Sequence, residues 1–134
     1  MRRLLGLLAI LSGSCDSPRA PVWDKAARLE VVDTQHKSLR TATSRDQVEP
    51  FTRQLAALRD GWTKPWSGVP VAPLNVEIYG ANGELLGSIG LGKDFLVGHW
   101  NGDFYTRRCS SEVVAELTTL LSHFRASPPG EPPR

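Results

Sequence analysis

This chain of 134 residues has no long apolar run, few cysteines and little excess of either charge. Its most apolar stretch, Leu4 to Leu11, falls short of the roughly 20 residues that span a bilayer as a helix. A transmembrane reading therefore fails. Cys15 and Cys109 are the only cysteines, so at most one disulfide is open to the chain. His36, His99 and His123 fall in a turn, a strand and a helix end. No pair sits at i, i+4 and no Cys-x-x-Cys occurs, so the ligand spacing of a metal site is missing. Gly87, Gly90 and Gly92 lack the Gly-Lys-Ser/Thr ending of a phosphate loop and do not open a helix. No cofactor or metal is expected.

What the chain does have is concentrated at its start. Arg2 and Arg3 precede Leu4, Leu5, Leu7, Leu8, Ala9, Ile10 and Leu11, and Ser12, Gly13 and Ser14 lead to Cys15. A basic start, a short apolar segment and small residues make an export signal. The ending resembles the lipobox of bacterial lipoproteins, with Ser12 at the place three before the cysteine where that family usually carries an aliphatic residue. The resemblance covers about fifteen residues. It implies that residues 1–14 are removed and that Cys15 is diacylated, becoming the mature N-terminus. It also implies a cell-envelope protein held in the membrane by lipid and facing the periplasm. Asp16 resembles the inner-membrane retention signal of enterobacterial lipoproteins. Ordinary signal cleavage after Ala20 would leave Pro21 first.

Loss of Arg2 and Arg3 with the signal lowers the 16 basic side chains to the number of acidic ones, 14. A neutral body removes the basic face expected of a nucleic-acid binder. If Cys15 carries lipid, Cys109 has no partner and reads as a buried thiol, an intermolecular bridge or a reactive site. Without lipid, a Cys15–Cys109 disulfide is open.

The remaining sequence of about 120 residues suits one domain. Residues 15–22 read as a tether and residues 23–125 as the folded body. Residues 126–134, rich in proline, read as a disordered tail. Leu29, Val31 and Val32 mark a strand over 27–33, and 38–43 pairs back to it across Gln35-His36-Lys37. Val48, Phe51, Leu55 and Leu58 predict a helix over 46–60, with Trp62 extending its stripe. Asp46 is the expected N-cap, Pro50 falls in the first turn and Gly61 is the stop.

After a loop over 63–73 come four strands. Leu74, Val76 and Ile78 alternate with polar neighbours, and a strand with Gly87 and Gly90 covers 85–91. The strand over 95–100 leads to Asn101-Gly102, a two-residue hairpin turn. That turn sets Trp100 opposite Asp103 and His99 opposite Phe104. Phe95, Val97, His99 and Phe104 then share one face, and Leu96, Trp100 and Tyr105 the other. A helix over 111–124, capped by Ser110, has Val113, Val114, Leu117, Leu120, Leu121 and Phe124 on its apolar face. The expected fold is α+β, an antiparallel sheet of about 4–6 strands with two helices on one face.

No catalytic residue is assigned. Cys109 sits before a helix, whose positive end lowers a thiol pKa; with His99 or His123 as base it is the best enzymatic case. Asp94 and Asp103 read as solvated turn residues. Arg107 and Arg108 point to opposite strand faces and do not act together. Trp62, Trp66, Trp100 and Tyr105 are the candidate binding residues, since such side chains dominate binding hot spots. The expected function is a non-enzymatic, lipid-anchored envelope module that binds a protein or envelope component, in an inhibitor-like or immunity-like role. A thiol-dependent enzyme centred on Cys109 and a structural accessory subunit are the alternatives.

Overall fold

Alternation of apolar and polar residues builds a single antiparallel sheet, and a computed structural model describes it over residues 18–127. In chain order the elements are β1 (Ala26–Val32), β2 (Ser38–Ala42), α1 (Arg45–Ala56), β3 (Leu74–Gly80), β4 (Leu85–Leu91), β5 (Phe95–Trp100), β6 (Asp103–Arg108), α2 (Ser111–Ser122) and β7 (Arg125–Ala126). The strand order is β6-β5-β4-β3-β1-β2-β7. The fold is α+β as expected, but with seven strands rather than four to six. The strand not foreseen is β7, whose two residues pair with Arg40 and Thr41 and are too few to show a period.

Leu29, Val31, Val76, Ile78, Ile89, Leu91 and Leu96 form the apolar sheet face. Against it lie Val48, Phe51 and Leu55 of α1 with Val114, Leu117 and Leu121 of α2. Helix α1 begins one residue before Asp46: Ser44 is its N-cap, and Asp46 lies in the first turn. Pro50 therefore sits in the second turn, where it removes a helical hydrogen bond. The helix also stops at Ala56, ahead of Gly61. The backbone beyond it has other partners: the Ala20 N–H donates to Arg59 O (2.9 Å) and Arg107 Nε to Asp60 O (2.6 Å). Ala20 is buried, so the folded body begins within the segment read as a tether.

Ser110 caps α2 as expected, its Oγ accepting from Val113 N–H at 3.2 Å. The helix ends at Ser122 rather than Phe124. Arg40 Nη1 donates to Phe124 O (3.1 Å) and Gln47 Nε2 to His123 O (3.0 Å), holding the exit as β7 starts. Ala126, assigned by composition to the tail, thus belongs to the sheet. The β5–β6 hairpin has the expected register, with positive φ at Asn101 (54°) and Gly102 (80°).

One end of the core is aromatic. Trp100 stacks on Tyr105 (centroids 4.4 Å apart, 15°) and takes edge contacts from Trp62 (5.1 Å) and Trp23 (6.3 Å). The Trp62 indole N–H donates to Leu58 O at 2.7 Å. Two glycines make the floor. A Cβ on Gly98 would fall on the Trp100 ring, and one on Gly87 would come within 2.7 Å of the Trp23 ring. The glycine-rich strands are where the indoles lie on the sheet. Trp62→Ala is expected to cost about 3–5 kcal/mol of unfolding free energy in urea titration. Gly98→Ala is expected to cost about 1–3 kcal/mol through overpacking.

Candidate functional site

Residues 63–73 leave the aromatic core and wrap around the free edge of the sheet. Thr63 forms an isolated bridge with Thr106, its N–H donating at 2.9 Å and its carbonyl accepting at 2.8 Å. Nine residues on, Ala72 is buried against the far face of β4, where its Cβ lies 2.8 Å from the place a Cβ on Gly90 would take. The segment is thus fixed at both ends. Between them Pro65 and Pro70 restrict φ, as Pro73 does just beyond, and Gly68 takes a φ of 115°. Trp66 stands at the unsupported middle with 103% relative exposure, and Val69 and Val71 are exposed beside it. A groove of about 450 Å³ under the loop is lined by Pro65, Trp66, Pro70, Phe95, Thr106 and Arg108.

The other three aromatic candidates are elsewhere. Trp62 (1% exposed), Trp100 (5%) and Tyr105 (8%) pack against one another in the core and present no contact surface. Their apolar area is worth more against the sheet than in water. Trp66 alone among the four faces solvent. Cys15 lies outside the described residues.

Basic side chains gather around the loop, a feature the linear sequence hides because they come from three segments. Lys64 pairs with Asp103 at 3.6 Å, Arg19 with Asp60 at 2.8 Å, and Arg107 is tied to Asp60 O. Arg59 Nε donates to Ala20 O at 2.8 Å. Arg108 borders the groove with Trp66.

Cys109 is half-buried after β6, its N–H donating to Asp94 O at 3.1 Å. Burial pushes its thiol up; Arg107 pulls it down and Asp94 raises it again. That opposes the activated thiolate a nucleophile requires. His99 stacks on Phe104 (4.3 Å, 22°), four residues along β5 from Phe95, which is roughly 13 Å. His123 is at the far end of α2, about 18 Å along its axis. Neither is placed to act as base to Cys109. Among the described residues no group of three or more His, Cys, Asp or Glu is arranged to hold a metal, and no helix is long and apolar enough to cross a membrane.

A second concavity of about 640 Å³ lies between α1 and the N-terminal segment, with Trp23, Ala27, Val48 and Thr52 in its lining. The cations on its rim, Arg45 and Arg53, are both engaged by Glu49 at 2.8 Å.

The sheet face away from the helices carries a polar row that alternation in β3 alone foreshadows. Thr41, Glu30, Glu77, Ser88, His99 and Phe104 are successive cross-strand partners. Glu30 and Glu77 are directly opposed, a repulsive pairing. Arg28 lies 3.7 Å from Glu30 and 4.2 Å over the Tyr79 ring. The Tyr79 hydroxyl donates to Glu77 Oε1 at 2.8 Å. Burial first, and Glu77 second, push the Tyr79 phenol up to about 12. Unfolded tyrosine titrates near about 10, so Tyr79 stabilises the fold fully below that pH and loses its contribution as pH rises toward the folded value. Chemical denaturation across this alkaline window should show stability falling for the wild type and a shallower fall for Tyr79→Phe. Comparison of the chain with protein-family models, curated proteins and solved structures finds no match in any of the three.

Proposed function

We propose that the protein is a lipid-anchored component of the bacterial cell envelope, attached through Cys15, whose α+β body is a non-enzymatic binding module. The loop over 63–73 is its contact element. The observation that carries this reading is Trp66, fully exposed on a segment fixed at both ends by Thr63 and Ala72. A large aromatic side chain kept in water by a structured loop forgoes the burial free energy that its three sister tryptophans obtain. Exposed apolar groups gathered at one place mark interaction sites. The raised thiol of Cys109 and its separation from His99 and His123 weigh against the thiol-enzyme alternative.

The anchor and the contact element are tested separately. Wild-type protein is expected to incorporate labelled palmitate in bacterial cells and Cys15→Ser to incorporate none; equal labelling overturns the anchor. A photo-crosslinking amino acid at position 66 is expected to give envelope adducts that the same group at the exposed Glu112 does not. Absence of any adduct at 66 overturns the contact element. Trp66→Ala should leave the thermal midpoint within a few degrees of wild type, whereas Trp100→Ala, which opens a core cavity, should lower it by more than about 10 °C.

A further inference from the structure

We propose that the Trp66 loop is a second membrane anchor, seating the body on an anionic bilayer beside the lipid at Cys15. The inference rests on the reading of Cys15 as the lipid-bearing residue and names the partner of the same loop. Its basis is where the chain leaves the body. Arg19 is bonded to Asp60 at 2.8 Å, and Ala20 and Arg59 exchange two hydrogen bonds, Ala20 N–H to Arg59 O at 2.9 Å and Arg59 Nε to Ala20 O at 2.8 Å. Asp60 is three residues before Thr63, where the loop begins, and six before Trp66. Cys15 precedes Arg19 by four residues, a reach of at most about 14 Å. A lipid at Cys15 therefore holds the Asp60 corner close to the headgroups, and the exposed Trp66 lines one groove with Gly61 and Arg107 beside that corner.

The charge agrees. Lys64, Arg107 and Arg108 flank the loop, and Arg19 and Arg59 lie at the Asp60 corner before it, against Asp60, Asp94 and Asp103. A body without net charge thus has its cations gathered where anionic lipid would lie. Indole side chains settle at the interface between headgroups and acyl chains, which is the depth a protruding loop reaches.

Trp66 supplies its own probe, because Trp23, Trp62 and Trp100 are each at most 5% exposed. Wild-type protein labelled with palmitate is reconstituted into vesicles of phosphatidylethanolamine and phosphatidylglycerol. Acrylamide quenching of its fluorescence is expected to fall severalfold relative to detergent solution. Brominated phosphatidylglycerol should quench it, and Trp66→Phe should abolish both changes. Lys64→Glu combined with Arg108→Glu should restore acrylamide access. Trp66 remaining open to acrylamide on these vesicles overturns the proposal. Protection in native membranes but not in vesicles assigns the loop to a protein partner and also overturns it. Failure of palmitate labelling removes the anchor reading, whereas an acrylamide-accessible Trp66 on labelled protein removes only the bilayer contact.

Discussion

The aromatic stack of Trp23, Trp62, Trp100 and Tyr105 is the constraint on which the other features depend. It joins three parts of the chain that share no regular hydrogen-bond ladder: the N-terminal segment, the exit of α1 and the β5–β6 hairpin. Gly87 and Gly98 let the Trp23 and Trp100 rings approach the sheet backbone, because a Cβ at either would occupy the indole space. Trp62 returns its N–H to Leu58 O within the turn after α1, and the next residue, Thr63, leaves the core to bridge Thr106. Trp66, three residues further on, stands in solvent.

The two sheet faces divide the physics between them. The helix-covered face is apolar and supplies the core. The other carries Glu30 and Glu77 as direct cross-strand neighbours, an arrangement that costs stability unless cations and donors offset it. Arg28, the Tyr79 hydroxyl and His36, whose Nδ1 lies 3.7 Å from Glu77, stand around the pair. Glu30 is only 7% exposed, and Arg28 stands 3.7 Å from its carboxylate. Val32, Val97 and Ala72 form a smaller buried patch on this face, where the end of the Trp66 loop packs.

Strong local chemistry made much of this fold legible in the sequence. Asn101-Gly102 requires positive φ twice and set the hairpin register; Ser110 announced α2; alternation placed β3. Tertiary demands overrode local signals elsewhere. Asp46 and Gly61 are sound helix boundaries by composition, yet Ser44 and Ala57 take those places. The partners claimed by Arg59 and Asp60 are distant in sequence. Trp62, Trp66, Trp100 and Tyr105 look alike as residue types, and their separation into core and surface follows from the mutual packing of Trp62, Trp100 and Tyr105, which Trp66 does not join. The basic cluster at the loop was illegible because Arg19, Lys64 and Arg108 meet only after folding.

A loop fixed at both ends has a thermodynamic use. A flexible loop would lose conformational entropy on docking, and that loss is subtracted from whatever the indole gains. Here the bridge at Thr63, the buried Ala72 and three prolines have already restricted the segment before any contact is made. The N-terminal segment is held in the same way, with Arg19 and Ala20 fixed to Asp60 and Arg59. On the proposed reading, the exit toward Cys15 and the start of the Trp66 loop share the Asp60 corner rather than forming two independent attachments. If Cys15 carries the proposed lipid, its insertion brings the loop toward the surface and raises the loop's effective concentration there.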